Sequence, residues 1–183
     1  MNPWLVLLLV QGVLGAVDTL WYHELVCALP ARTPGTAPEL RLHAARDFVY
    51  AVLFLTLPFR TWNGLWAGAL ALLLAAEIGI TLADFALEDR VRAPFGGVAR
   101  GERIMHTVMA IVYGAFLARF VPELQAWFQR DTGFEPREPR PGALALLFML
   151  LGLGVFLSGL RDLGAAAGVR VLQRPLWSAR ARV

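Results

Sequence analysis

Apolar residues run almost unbroken at about 3–29, 64–88, 102–121 and 143–160. A further stretch at about 39–58 is amphipathic in its first turns, "ELRLHAARDFVY", and apolar in its second half, "AVLFLTLP", before it stops at Pro58. A hydrocarbon core of roughly 30 Å takes about 20 helical residues to cross. The pattern therefore predicts an all-α integral membrane protein with five transmembrane helices, the first four forming a four-helix bundle around a polar site. The connections "PARTPGTAP", "RTWNG", "DRVRAPFGGVARG" and "PELQAWFQRDTGFEPREPRPG" carry the prolines and glycines expected of breakers. The first apolar run has no basic leader region and no cleavage site, so it is expected to be a retained span. Residues 1–160 then form one transmembrane domain, and 161–183 a basic tail suited to an anionic leaflet.

Composition agrees with this pattern: 57% of the 183 residues are hydrophobic and 17% charged, too apolar for an ordinary soluble domain. The basic pI of about 9.7 is no nucleic-acid signal in such a chain. Its 17 basic residues are all arginine. Twelve of them flank one set of span ends and five, Arg60, Arg119, Arg130, Arg137 and Arg140, the other. Positive charge is retained on the cytoplasmic side. This predicts the N-terminus outside and the C-terminus in the cytoplasm of a cell with the protein in its cytoplasmic (inner) membrane. The single cysteine, Cys27, excludes an internal disulfide framework and a Cys-based metal cage, and reads as a small buried hydrophobe.

The topology gathers the ionisable residues. All three histidines, and nine of the fourteen acids, fall in the cytoplasmic halves of the first four spans. At a rise of about 1.5 Å per residue, Asp18, His43, Asp84 and His106 lie roughly 6 to 9 Å inside the boundary and Asp47 and Glu77 roughly 12 to 16 Å. Helical spacing puts Glu77, Thr81, Asp84 and Glu88 on one stripe, Glu39, His43, Asp47 and Tyr50 on a second, and Glu102, His106, Met109 and Tyr113 on a third. In the first span, Gln11, Asp18 and Tyr22 share a face, whereas His23 is about 140° from Asp18 on an α-helix. Asp18 is thus expected inward, with His23 and Glu24 at the mouth.

Ionisable groups inside a span cost roughly 2.5 to 3.5 kcal/mol each on insertion scales and face the bundle interior with a partner. Like charges crowded together need arginines, protons or metal ions. Carboxylates and histidines converging from facing helices are the ligand economy of di-iron bundles, although the pairs here, His43/Asp47 and Glu102/His106, are at i, i+4 rather than i, i+3. The expected ligands are Asp18, His43, Asp47, Glu77, Asp84 and His106, with Glu88 and Glu102 as further candidates. Arg46, Tyr22, Tyr50 and Tyr113 are expected around them or against substrate. Mixed oxygen and imidazole donors suit two ions of iron, or zinc or manganese, rather than copper(I). The implied function is oxidation of a lipid-like or other hydrophobic substrate, with an electron-donor protein as a partner and no nucleic acid.

Competing readings are a zinc-dependent membrane hydrolase, a non-enzymatic subunit whose arginines neutralise the acids, a haem held by two histidines, and an ion pathway. The chain lacks HxxH and HxxxH pairs, so it does not follow the histidine-box desaturases and hydroxylases. The aspartate-rich motifs of membrane alcohol phosphotransferases and prenyltransferases are also missing.

Overall fold

The computed structural model describes residues 2–138 and 141–176. Five helical rods make up the molecule. The first is α1, Pro3–Val17, continued without a break by a π-helical segment, Asp18–Val26. The others are α2 (Ala37–Thr56), α3 (Leu65–Arg92), α4 (Arg100–Phe128) and α5 (Leu144–Ala166). Four of these rods are long and apolar enough to cross a membrane, at Pro3–Val26, Leu65–Phe95, Arg100–Phe128 and Leu144–Ala166. The exception is α2, which carries Glu39, Arg41, His43, Arg46 and Asp47 in its first three turns. It is also the most thoroughly buried helix, and of these residues all but Arg41 face protein.

One narrow stripe on each long helix faces inward, as an a/d-like spacing dictates. On α3 the buried positions are Ala67, Leu70, Leu74, Glu77, Asp84, Glu88 and Arg92; on α4 they are Glu102, His106, Tyr113, Phe116, Phe120, Leu124 and Trp127. Each stripe is apolar at one end and ionisable at the other. The apolar half of the bundle is a core of Trp4, Leu8, Leu53, Phe54, Leu70, Phe116, Phe120 and Trp127. Leucine and aromatic side chains fill this half, and among the described residues no polar file crosses it, contrary to what an ion pathway requires.

The bundle is not closed by the first four helices alone. Helix α5 packs along α2 more extensively than any other pair packs, and it also touches α1. Small residues permit that approach: a Cβ on Gly159 would lie 3.1 Å from Asp47 Cβ and 3.2 Å from the Ala44 carbonyl oxygen. The four-helix expectation is therefore corrected to five helices in contact.

The connections also differ from expectation. Helix α4 runs on through Pro122 to Phe128, because Leu124 and Trp127 continue its buried stripe. The segments expected to be a turn and a loop pair instead as a two-stranded antiparallel sheet, β1 (Arg60–Asn63) with β2 (Gly133–Pro136), Trp62 opposite Phe134. Just beyond it the Arg137 guanidinium stacks over Trp4, 4.5 Å from the ring centroid, and closes the apolar end. After Ala166 the chain turns back so that Leu172 packs beside Ala165 and Leu29. Arg140 and residues 177–183, Arg180 and Arg182 among them, lie outside the described residues.

Candidate metal centre

The ionisable end of the bundle is a buried cluster to which all five rods contribute. The π-helical segment decides how α1 takes part. Five residues of α-helix would leave His23 about 140° from Asp18. A π-helix bonds each residue to the fifth along, so His23 returns to the face of Asp18. His23 Nε2 consequently lies 3.3 Å from Asp18 Oδ2, with both side chains buried. The expectation that His23 stays at the mouth is replaced by a place inside the cluster.

Two groups of three have ligand atoms that all lie within 4.8 Å of one another: Asp18 with His23 and His106, and Glu39 with His43 and Asp84. In the first, His106 Nε2 is 3.4 Å from Asp18 Oδ2. In the second, His43 Nε2 is 3.3 Å from Asp84 Oδ2 and 3.7 Å from Glu39 Oε1. The groups touch through their imidazoles, His23 stacking on His43 with centroids 4.5 Å apart. Further acids surround the rings, Glu88 and Asp162 at the far nitrogen and Glu102 at the same nitrogen as Asp18. Glu88 Oε2 is 3.3 Å from His106 Nδ1, Glu102 Oε1 is 3.4 Å from His23 Nε2, and Asp162 Oδ2 is 3.9 Å from His43 Nδ1.

These contacts are close without being hydrogen bonds. Both ring nitrogens of His43 and of His106, His23 Nε2, Asp18 Oδ1, Asp84 Oδ1 and Glu39 Oε2 are buried with no hydrogen-bond partner. Buried polar atoms left this way cost about 1–3 kcal/mol each. Donors about 2.0 Å from a shared tetrahedral ion stand about 3.3 Å apart, the separation seen here. The residues thus form two buried groups able to hold metal ions.

Arginines supply part of the compensation. Arg92 is 1% exposed. Its Nη2 donates to Glu39 Oε1 at 2.5 Å and its Nη1 to Glu102 Oε1 at 2.6 Å. Arg46 Nη1 donates to Asp84 Oδ2 at 3.2 Å, and Arg161 pairs with Glu24. Buried carboxylates still outnumber them: Asp18, Glu24, Glu39, Asp47, Glu77, Asp84, Glu88, Glu102 and Asp162 are all 8% exposed or less. The three arginines alone do not match these acids, and protonated histidines in a salt-bridge network or bound metal ions can supply the rest.

Not every expected residue joins the two groups. Glu77 lies in a separate polar nest, where Tyr50 hydroxyl donates to its Oε1 at 3.2 Å and Thr81 Oγ1 at 3.0 Å. Gln11 Nε2 donates to the Tyr50 hydroxyl at 3.0 Å, and Tyr113 packs edge-on against Tyr50. Asp47 faces α5 beside Gly159. Tyr22 lies against Gly101 at the start of α4, outside both groups. Glu24 is buried on Arg161 rather than open at a mouth. Arg46 is tied to Asp84, not to its neighbour Asp47. The His23 ring contacts both His43 and His106, filling the space a porphyrin between those two would need.

Sequence reasoning missed two contributors and misplaced a third. Arg92, expected among the arginines able to pair with these acids but in a loop, ends α3 instead, four residues past Glu88 on the same stripe. Asp162 enters because α5 belongs to the bundle. Cys27 is buried as expected, but it is no plain hydrophobe: Arg92 Nη1 donates to its sulfur at 3.3 Å. The "APFGGVARG" loop is held by Arg32, whose guanidinium stacks on Phe95 and donates to its carbonyl oxygen. Compared with known proteins, the chain matches no family model, no curated protein and no solved structure.

Proposed function

We propose that the two groups each hold one metal ion, and that the protein is a membrane metalloenzyme, in the first reading a di-iron oxidoreductase acting on a lipid-like hydrophobic substrate. The observation that carries this is the set of buried imidazole nitrogens left without hydrogen bonds, each within ligand spacing of a buried carboxylate. A divalent ion in each group neutralises acids that the buried arginines leave uncompensated and gives one nitrogen of each imidazole a bond. Paired iron supplies dioxygen activation when bound, with electrons from a donor protein. The chain's own residues set the frame: Glu88 and Asp162 orient His106 and His43 from behind, at Nδ1, whereas Glu102, fixed by Arg92, shares His23 Nε2 with Asp18 on the ligand side.

The arginine bias of the span ends supports a cytoplasm-facing cluster, with α2 as the fifth and most shielded span. A substrate then approaches from bilayer and cytosol together. The zinc reading keeps one observation in its favour, the near-tetrahedral donor separation of 3.3 to 3.4 Å in the Asp18 group, and it leads to hydrolysis.

Metal analysis of the detergent-purified protein tests the proposal. About two irons per chain are expected for paired three-ligand sites. Zinc in their place moves the assignment to hydrolysis, and a folded protein free of metal overturns both.

A further inference from the structure

Two cavities flank the cluster. One, about 270 Å³, lies between α3 and α4 and holds the Glu77 nest. The other, about 220 Å³, lies between α1 and α5. The second has the shape of an amphiphile site. Its far wall is Gly12, Phe54, Leu151 and Val155, with Gln11 at the same level; its near end is Asp18, Asp47, Arg46 and Ser158. Ala16, Leu20 and Leu151 line both this cavity and an outer, wholly apolar groove with Val13, Val17, Trp21 and Leu25. The cavity thus opens sideways, toward where lipid chains lie.

We propose that the α1/α5 cavity binds a single-chain amphiphile laterally from the bilayer, with an uncharged hydroxyl as its polar end. The proposal rests on the proposed function for what happens to this ligand, and on the cavity alone for its binding. The polar end of the slot is rich in acceptors. Asp18 Oδ1 is buried without a partner, in a residue 1% exposed, and a hydroxyl donates to it. A carboxylate or phosphate would set acceptor against acceptor, because the one cation present, Arg46, is already engaged by Asp84. An ammonium would lie against that same guanidinium. The hydroxyl end would stand beside Asp18, a member of the first candidate group, so the first carbons of the chain lie nearest that group.

The test uses a diazirine-bearing C16 fatty alcohol and the matching fatty acid, with the full chain in phosphatidylcholine nanodiscs, crosslinked peptides being mapped by mass spectrometry. The alcohol is expected to label peptides containing Gln11–Leu20 and Leu150–Ser158 of α1 and α5, and the acid far less. A Cβ added at Gly154 meets nothing within 4 Å, and one at Gly15 only Met109 Cε at 3.8 Å; both glycines line the slot, so Gly154→Phe and Gly15→Leu start in open space and extend into it. Each should cut labelling by about tenfold, roughly the loss of one well-packed apolar contact. Gly114→Phe, in the other cavity, should leave it unchanged. Equal labelling by acid and alcohol, or labelling indifferent to Gly154→Phe, overturns the inference. Metal analysis of the same samples separates the two ideas. Bound metal with unblocked labelling sinks the slot alone, and blocked labelling on a metal-free protein keeps the slot and removes the reaction.

Discussion

The imidazoles of His23 and His43 lie face to face, centroids 4.5 Å apart and planes 9° apart, although one comes from the π-helical end of α1 and the other from α2. Each ring belongs to a different candidate group, so the stack is the seam between the two groups. His43→Ala and His106→Ala, one in each group, should each lower bound metal to about one ion per chain, and the double variant should bind none, since a three-ligand site does not survive loss of its imidazole. Membrane insertion and helix content should persist. Atomic emission on the purified variants, with circular dichroism alongside, reads both; full metal in the double variant refutes the ligand assignment.

The π-helical turn makes a claim about spacing rather than identity. Deleting Trp21, which is 55% exposed, converts the Asp18–His23 interval from five residues to four. Four residues of α-helix return a side chain to the same face. The deletion variant should keep its metal, whereas deleting Thr19, Leu20 and Trp21 together, which leaves an interval of two residues and turns His23 about 160° from Asp18, should lose the Asp18 group's ion. Retention by both deletions would show that His23 is not a ligand.

Glu77 distinguishes the structural reading from the sequence reading. It is bonded to Tyr50 and Thr81 and belongs to neither group, so Glu77→Gln should retain the metal content of the wild type. Glu39→Gln and Asp84→Asn should not. A metal assay that ranks Glu77→Gln with the other two would place Glu77 among the ligands after all.

Arg92 sits between Glu39 and Glu102 with 1% of its surface exposed. Arg92→Met removes the cation and leaves two buried carboxylates facing each other. Breaking a buried pair in this way costs about 3–5 kcal/mol. Thermal unfolding in detergent should show a midpoint lowered by several degrees, and Arg92→Lys, which keeps the charge but not the forked geometry, should fall between. An unshifted midpoint for Arg92→Met would mean that the two acids do not depend on it.

Much of the candidate site was legible along the chain, because a helix repeats every 3.6 residues and the lipid-facing majority of each span has to be apolar. That alone put Glu77, Asp84 and Glu88 on one stripe, Glu39 and His43 on another, and Glu102 and His106 on a third; the structure finds each of these side chains buried. What periodicity reports is a face, not a neighbour. Asp162 next to His43 depends on how closely Gly159 lets α5 approach α2, and Arg46 reaching Asp84 rather than Asp47 depends on the distance between α2 and α3. The pairing of "RTWN" with "GFEP", which sets Thr61 opposite Glu135 and Trp62 opposite Phe134, is likewise a contact between segments that carry no mark of each other.

By itself, then, the sequence determined the helices, their buried stripes and the crowding of acids and histidines at one end, since these follow from local periodicity and the cost of charge in hydrocarbon. Only the tertiary structure decided which donors meet. The π-helical turn that rotates His23 onto Asp18, and the fifth helix that closes the ring, arise from packing across the bundle, where a few ångströms separate a ligand set from a scatter of charges.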